Sequence, residues 1–259
     1  MKKTSALLAA GLLVMAAAFS GETSPDPCSA VNETAIRIHL PLKKFTIESK
    51  KPRKGLCEVI VRVGDQLIPV YAGHDFMIAG DLYAYRKKIT DESITAIKAK
   101  MQEEKRKMFR EKLPLVEKSV AIVYRPKKRS QRVIYFFTDP LCPYCHEAGK
   151  ELRKLADKLG VTVKVLLFSV HGKRGEDKSV EAICRNFSFE RYNNLKWKTS
   201  DPVKKYLCKK GREKVKAADS LSDTLGVEGV PAFYLDNGFY VSGGDMKKIE
   251  KELIRLGKK

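Results

Sequence analysis

Outside its first twenty residues, the sequence has no apolar run approaching the roughly 20 residues that a membrane-spanning helix needs, so we expect the mature chain to be soluble. No cysteine directly follows the small residues that end this first stretch, so nothing indicates attachment of a lipid. Internal repeats and low-complexity tracts are also lacking. The remaining composition is 43% hydrophobic, which is ordinary for a 259-residue chain that buries a core in one large domain or two small ones.

Acidic residues are scarce relative to basic ones: 31 Asp and Glu stand against 51 Lys and Arg, which gives a formal net charge of +20. Such an excess can attract nucleic acid, anionic lipid or acidic proteins. The basic residues are scattered, however, and gather only in short clusters such as 50–54, 86–88 and 105–107. We therefore interpret most of them as a solvated surface and expect no nucleic-acid partner.

The N-terminus has the pattern of a secretory signal. Lys2 and Lys3 precede an apolar run over residues 6–18, with small residues at Ala16, Ala18 and Ser20. The alternative, an uncleaved anchor helix, is disfavoured because the run is too short to span a bilayer. We predict a signal peptide over residues 1–20, cleaved near Ser20, and an exported mature chain.

Six cysteines lie beyond this signal and would therefore meet oxidising conditions. If the closely spaced Cys142 and Cys145 are set aside, the other four allow three connectivities. Sequence proximity favours Cys28 with Cys57 and Cys184 with Cys208, and each bond would contribute about 3 kcal/mol on the chain-entropy model. The alternative is that some of the four are free buried thiols.

The coarse pattern predicts two domains joined by a helix. Strand-like runs at 58–63, 66–71 and 82–85, with turn signals at 64–65 and 80–81, predict a small sheet domain over residues 28–90. Residues 91–114 predict a linker helix that Pro114 stops. Its apolar stripe is thin, which favours a helix that bridges domains, with a core helix as the alternative.

Residues 118–259 predict an α/β domain. A buried strand at 133–138, a helical pattern at 145–159 and a second buried strand at 161–168 are typical of a parallel pair with a crossover helix. Residues 176–226 predict a helical insert, with Asp201 and Pro202 as one helix start. A hairpin at 232–235 and 239–242 and a helix at 245–256 follow.

Cys142-Pro143-Tyr144-Cys145 stands where the first of these strands gives way to the helix. That position places the first thiol at the positive end of the helix dipole, beside unpaired N–H groups, which lowers its pKa and makes it nucleophilic. Cys145, one turn further on, is predicted to be more buried and able to attack a mixed disulfide. The pair can then alternate between dithiol and disulfide.

Other readings of the motif are less consistent with its context. Half of a zinc site would need a second CxxC or an HxxxH partner, which the sequence lacks, and a structural disulfide would leave the helix N-terminus unused. A haem-attachment site, suggested by His146 after Cys145, does not fit a motif between a buried strand and an α/β helix. We therefore expect no metal and no cofactor, and His146 either influences the thiolate modestly or is a plain surface residue.

A second element, Gly229-Val230-Pro231-Ala232, directly precedes the hairpin. An X-Pro bond there can be cis at modest cost and would leave the backbone of Val230 free to pair with an extended substrate. The segment is a weak signal alone and a strong one together with the cysteine motif.

The order of these elements resembles the thioredoxin superfamily: a strand, the CPYC motif, an amphipathic helix and a late Val-Pro before a hairpin. The run from Phe137 to His146, the cysteine-bearing insert and the Gly-Val-Pro-Ala segment resemble most closely the periplasmic DsbC/DsbG disulfide isomerases. The resemblance covers nearly the whole mature chain.

The resemblance implies a thioredoxin-like catalytic domain with a helical insert, a cystatin-like N-terminal domain and a linker helix. It also implies a periplasmic homodimer whose cleft receives misfolded exported proteins, and a membrane thiol reductase as electron donor. Cys142 and Cys145 would be catalytic; Pro143, Tyr144, Val230 and Pro231 would contact substrate; and Cys184 and Cys208 would form a structural disulfide. The pair Cys28 and Cys57 is not a general feature of that family.

One residue departs from the family pattern. The isomerases usually have Thr before the proline that corresponds to Pro231, whereas this chain has Val230 there, as DsbA-type oxidases do. Isomerisation with reductive rescue is the leading hypothesis, and a dithiol oxidase or reductase is the second. A third is a holding chaperone that protects unfolded chains without using its thiols.

Overall fold

The computed structural model describes residues 26–257, and the predicted signal peptide lies outside them. The N-terminal part has a short helix, α1 (Glu33–His39), and an antiparallel four-stranded sheet in chain order: β1 (Thr46–Arg53), β2 (Leu56–Val63), β3 (Gln66–Ala72) and β4 (Met77–Ala79). Two-residue strands β5 (Tyr83–Ala84) and β6 (Lys87–Lys88) pair with each other. A core of Ile36, Val59, Val61 and Val70 lies under this sheet, beside the Cys28–Cys57 disulfide.

The strand β1 was missing from the sequence-based prediction. Its sequence, TIESKKPR, is charged and contains Pro52, so it lacks the apolar alternation of a half-buried strand. Among residues 26–257 the strand pairs only with β2 and forms an edge of the sheet, where proline and lysine are tolerated because one side of the backbone needs no partner.

The linker helix, α2 (Thr90–Ser119), continues through Pro114, so the prediction that Pro114 stops it was wrong. A proline inside a helix lacks an N–H donor and crowds the preceding turn. Tertiary contacts hold the last turn in place: Val116 is fully buried, and Glu117 accepts hydrogen bonds from Tyr135 and Lys164. The other end of the helix contacts the N-terminal sheet, because Ser93 donates a hydrogen bond to the buried Glu58.

The C-terminal part is built on a five-stranded sheet in the order β11-β10-β8-β9-β7. Its strands are β7 (Ile122–Tyr124), β8 (Val133–Thr138), β9 (Thr162–Leu167), β10 (Ala232–Leu235) and β11 (Tyr240–Ser242). The predicted parallel pair is confirmed, because β8 and β9 run parallel with Phe136 opposite Val165. The predicted hairpin is confirmed as β10 and β11, which pair antiparallel around Gly238.

Helices cover both faces of this sheet. Phe136 and Phe233 contribute to a core with α3 (Pro143–Leu159) and α8 (Met246–Gly257) on one face. Tyr135 and Phe137 contribute to a second core with α2 and α7 (Lys209–Thr224) on the other. The alternation of side chains along β8 thus serves two buried faces, which explains why its sequence is apolar throughout.

A helical insert follows β9 and consists of α4 (Gly172–Cys184), α5 (Phe189–Tyr192), α6 (Leu195–Thr199), a 3-10 turn (Lys204–Tyr206) and α7. Asp201 and Pro202 do not start a helix, contrary to prediction; α7 begins after Cys208, whose sulfur caps it by accepting the Gly211 N–H. The disulfide of Cys208 with Cys184 fixes this start against the end of α4, and Asp201 pairs instead with Arg174.

Among residues 26–257, no helix combines the length and apolarity needed to cross a bilayer.

Candidate active site

The cysteine motif lies where strand β8 meets helix α3. Cys142 is the N-cap of α3, and its Sγ atom accepts a hydrogen bond from the backbone N–H of Cys145 at 3.3 Å. Pro143 occupies the first helical position, where its lack of an N–H costs nothing. The sulfur of Cys142 therefore sits at the positive end of the helix dipole.

The two thiols differ in their access to solvent. Cys142 is buried, with 5% of its surface exposed, and it lies next to Tyr144, which is 76% exposed. Cys145 is completely buried. Both cysteines are free thiols, so the pair is in its reduced, dithiol state in this structure. An incoming disulfide can reach Cys142 past Pro143 and Tyr144 but cannot reach Cys145 directly.

Their proton affinities differ in the same sense. The pKa of Cys142 falls to about 6, chiefly because the Cys145 thiol hydrogen-bonds to it. Burial is the next largest cause and raises the pKa, and the N–H groups of Cys145 and Tyr144 that point at the sulfur lower it further. Burial, followed by the neighbouring Cys142, raises the pKa of Cys145 far above its ordinary value. At pH 7, which lies above this pKa, most of Cys142 is thiolate, whereas Cys145 remains a thiol.

The second predicted element lies directly against the first. The Val230–Pro231 peptide bond is cis, and the carbonyl oxygen of Val230 lies 3.6 Å from the Cys142 sulfur. Pro231 is buried, and its carbonyl accepts the Gly243 N–H next to the β10–β11 hairpin. The fold therefore brings together the four residues Cys142, Cys145, Val230 and Pro231.

Asp139 positions the loop around the motif and was not identified from the sequence as a site residue. Its buried carboxylate accepts the backbone N–H groups of Leu141 at 2.7 Å, Val170 at 2.8 Å and His171 at 3.2 Å. The His171 ring bonds to the same carboxylate at 3.0 Å. Asp139 thus ties the loop after β9 to the loop before Cys142. An Asp-Pro pair before the motif is a turn signal that could have indicated this role.

The insert supplies the wall behind Cys145. The Tyr192 hydroxyl lies 2.9 Å from that of Thr138, the last residue of β8, and the Lys198 ammonium lies 4.5 Å from the centre of the Tyr192 ring. Lys198 is only 4% exposed. Nothing in the sequence identifies Tyr192 and Lys198, because they lie 47 and 53 positions after Cys145 in a segment without periodicity.

His146 is buried, so the reading of it as a plain surface residue was wrong. Burial, and then the charge of Lys198, lowers its pKa below the ordinary value for histidine. At neutral pH the ring is uncharged, so it does not stabilise the Cys142 thiolate as a cation. Within the described residues, no cluster of three or more His, Cys, Asp or Glu side chains could hold a metal ion.

The remaining four cysteines form the two disulfides that sequence proximity favours. Cys28–Cys57 lies in the N-terminal core, and Cys184–Cys208 joins α4 to α7 in the insert. The second bond closes the loop that carries both Tyr192 and Lys198.

Comparison with known proteins agrees with this architecture. Residues 120–252 match the thioredoxin-like domain family. The chain is 29% identical over 247 residues to the thiol:disulfide interchange protein DsbC of Escherichia coli (strain K12), over 94% of this chain and 93% of that protein. It is 30% identical over 141 residues to the protein of the same name from Salmonella typhimurium, over 53% and 55%.

Two solved structures show the same fold. A linker-deletion variant of Proteus mirabilis ScsC superposes with a TM-score of 0.51 at 18% identity, over 64% of this chain and 90% of that one. The thiol-disulfide exchange protein α-DsbA2 from Wolbachia pipientis gives 0.50 at 13% identity, over 60% and 97%. From its fold and its matched domain, the chain belongs to the thioredoxin-like family, and its relatives show that it is a thiol:disulfide interchange enzyme.

Proposed function

We propose that the chain is a periplasmic disulfide isomerase and reductase in which Cys142 is the nucleophile and Cys145 resolves the mixed disulfide. The observation that carries this proposal is the difference between the two sulfurs: Cys142 is a thiolate at the exposed helix N-terminus, and Cys145 is a buried thiol one turn behind it. The substrates are misfolded exported proteins with non-native disulfides.

In the first step the Cys142 thiolate attacks one sulfur of a substrate disulfide. A bond forms between Cys142 and the substrate, the substrate S–S bond breaks, and the other substrate sulfur leaves as a thiolate that solvent protonates. A substrate thiolate can then attack another disulfide of the same chain and finally displace Cys142. This route rearranges disulfides without net oxidation or reduction.

In the second route Cys145 attacks the Cys142 sulfur of a stalled mixed disulfide. A Cys142–Cys145 disulfide forms, and the substrate leaves with two thiols, so the substrate gains two electrons. The enzyme needs a dithiol reductant to return to its reduced state, and a membrane thiol reductase is the proposed donor.

An extended substrate segment is proposed to bind beside the second element. The Val230 N–H is used in no hydrogen bond among residues 26–257 and is available to pair with a substrate carbonyl. Pro143 and Tyr144 are exposed next to Cys142 and offer apolar contact to the same segment.

The proposed enzyme is a homodimer joined through its N-terminal sheet domain. Within that domain, a stretch of about ten residues exposes four large apolar side chains, namely Phe76, Ile78, Tyr83 and Tyr85. Clustered exposed apolar groups are typical of interfaces, and β4 is an edge strand of its sheet. Light scattering on the wild type should give the mass of a dimer, and Ile78→Lys should shift it towards the monomer, whereas Lys198→Arg, at a buried position in the other domain, should not.

Reactivation of a scrambled multi-disulfide protein tests the function. The reduced wild type, without added thiol, is expected to restore activity, and Cys142→Ala to restore none. Activity left in Cys145→Ala measures how far rearrangement proceeds without resolution. A wild type that restores nothing would contradict isomerisation. Protection of an unfolded client from aggregation by Cys142→Ala would instead support the holding chaperone.

A dithiol oxidase is the second candidate, favoured by two observations. Val230 stands where the isomerases usually have Thr, and the low pKa of Cys142 stabilises the reduced pair, which makes its disulfide more oxidising. Alkylation of thiols in freshly acid-quenched cells distinguishes the two functions, because an oxidase pair is found as a disulfide and an isomerase pair as thiols.

A further inference from the structure

The segment that contains Val230 runs over residues 225–231, from the end of α7 to the start of β10, and we call it the connecting segment. Both of its ends are fixed by backbone hydrogen bonds. Its first residues bond to the last turn of α7, and Pro231 accepts the N–H of Gly243. Its middle is more open, because a Cβ built on Gly229 would meet no atom within 4 Å. The position of the Val230 N–H therefore depends on what holds the segment between its ends.

Lys105 of the linker helix α2 bonds to the connecting segment. Its Nζ atom donates a hydrogen bond to the Gly226 carbonyl at 2.6 Å and lies 4.0 Å from the centre of the Tyr240 ring. Only 15% of the Lys105 side chain is exposed, so the ammonium has exchanged most of its water for these contacts. A hydrogen bond from a charged donor is stronger than one between neutral groups. Lys105 therefore holds the connecting segment where it leaves α7.

The same ammonium is paired with a carboxylate of the N-terminal domain. Asp65 lies in the turn between β2 and β3, and its Oδ1 atom is 3.0 Å from the Lys105 Nζ atom. Its Oδ2 atom accepts the Tyr240 hydroxyl at 3.1 Å. A lysine side chain is flexible and its ammonium has no fixed orientation of its own. The Asp65 carboxylate therefore determines that the Lys105 ammonium stays beside Tyr240 and the Gly226 carbonyl.

The neighbouring residue of that turn approaches the connecting segment at a second place. The Glu228 carboxylate lies so close to Gly64 that a Cβ at this position would overlap it. Gly64 also has a φ of 61°, in the left-handed region that glycine adopts without penalty. Glycine thus permits both the turn and the close approach. Because Glu228 stands two residues before Val230, the N-terminal turn reaches the part of the segment that is proposed to meet the substrate.

Other contacts keep α2 on the catalytic domain without Lys105. The Gln102 side chain donates a hydrogen bond to the Tyr240 carbonyl at 2.7 Å and accepts the Tyr240 N–H at 3.1 Å. Phe109, further along the same helix, is fully buried in the core beneath the sheet. Replacing Lys105 or Asp65 should therefore release the connecting segment without detaching the helix.

We propose that Asp65 and Lys105 are positioning residues for the substrate: the Asp65 carboxylate orients the Lys105 ammonium, and the ammonium holds the connecting segment so that the Val230 N–H stays in place for a substrate backbone. The inference rests on the proposed binding of an extended substrate segment beside Val230. The N-terminal domain thereby contributes to substrate binding by the catalytic domain of its own chain. The reactivity of the Cys142 thiolate should not depend on this contact, because groups on α3 stabilise that thiolate.

Two substrates separate positioning from chemistry. A peptide disulfide with several residues on each side of its cysteine can pair with the Val230 backbone, whereas bis(2-hydroxyethyl) disulfide has no peptide backbone and reports only the reactivity of Cys142. The rate at which each substrate oxidises the reduced pair is followed by trapping thiols in acid-quenched samples. Its dependence on peptide concentration gives a half-saturating concentration and a limiting rate. A wild type that reacts with neither substrate would contradict the proposed function itself.

Lys105→Met keeps the apolar stem of the side chain and should raise the half-saturating peptide concentration roughly threefold to tenfold, because a charge-assisted hydrogen bond is lost. The limiting rate and the rate with the small disulfide should stay within about twofold. Asp65→Ala should act in the same direction. Since the two residues act in series, the double variant should be no worse than Lys105→Met alone. Lys107→Met, at an exposed position of the same helix, is the matched control and should change neither substrate.

Three results would overturn the positioning role. One is an unchanged half-saturating peptide concentration in Lys105→Met, and another is equal slowing with the peptide and the small disulfide, which a general loss of structure would cause. The third is a double variant in which the two effects multiply, because the residues would then act independently. Should Lys105→Met unfold in thermal melts, Lys105→Arg is the second variant. It keeps a charged donor within reach of Asp65 and the Gly226 carbonyl, and its half-saturating concentration should lie within about threefold of the wild type.

Discussion

The Sγ atom of Cys142 lies 3.6 Å from the carbonyl oxygen of Val230, although 88 residues separate them in the chain. The contact places the nucleophile between the N–H groups of α3 and the backbone of the Val230–Pro231 segment. The N–H groups on one side therefore stabilise negative charge on the sulfur, and a substrate backbone can align on the other side. Attack and substrate positioning are carried by the same few atoms.

Removing the Cys145 thiol should raise the pKa of Cys142. The hydrogen bond from that thiol is the largest cause of the low value, so Cys145→Ala should move the pKa upward from about 6. Thiolate absorbance at 240 nm as a function of pH measures it. Tyr144→Ala, which leaves both sulfurs and the backbone in place, is the matched control and should leave the pKa near 6. An unchanged value in Cys145→Ala would show that the helix N-terminus alone stabilises the thiolate.

The stability of the reduced protein should depend on pH through Cys142. Its pKa is about 6 in the folded chain, below the ordinary value of 9.0, so the folded state releases this proton first. The contribution grows as the pH rises from about 6 towards 9 and is lost as the pH falls through 6. Reduced wild type should therefore gain stability relative to Cys142→Ser between pH 6 and 8.5 in thermal melts. The oxidised protein, in which neither sulfur titrates, should not show this gain.

Asp139→Ala should destabilise the catalytic domain by roughly 3 kcal/mol, because the backbone N–H groups of Leu141, Val170 and His171 lose their acceptor. The same change removes a negative charge that raises the pKa of Cys142, so that pKa should fall slightly. Urea unfolding and the absorbance titration measure the two effects. Asp201→Ala, at a side chain that is 89% exposed, is the control and should alter neither.

Phe109→Ala should cost about 3–5 kcal/mol of unfolding free energy. Phe109 is fully buried, stacks on Tyr234 with ring centres 4.6 Å apart, and contacts the edge of Tyr135. The neighbouring Met108 is exposed on the other side of α2, and Met108→Ala should cost less than about 1 kcal/mol. Similar losses for the two variants would mean that α2 does not pack into this core.

The motif and its partner were predictable because their chemistry is local. A strand, a Cys-Pro-Tyr-Cys turn and an amphipathic helix determine where Cys142 lies. A Val-Pro pair before a hairpin can be recognised from the sequence alone. The end of α2 was not predictable, because tertiary contacts of Val116 and Glu117 outweigh the local cost of Pro114. Strand β1 was missed since an edge strand needs no apolar pattern. Tyr192 packs in the same core as Cys145 only because of the path of the insert, which no local pattern encodes.

The Cys184–Cys208 bond closes the loop that carries Tyr192, which packs in the same core as Cys145. Closing a loop of this length lowers the conformational entropy of the unfolded chain and so stabilises the fold by about 3 kcal/mol on the chain-entropy model. A newly synthesised copy with these two cysteines still as thiols would already possess the nucleophile, yet the wall behind its resolving sulfur would be held only by packing. Maturation of this catalyst of disulfide exchange thus includes an oxidation that its own reduced pair does not supply, and so depends on an oxidant other than that pair.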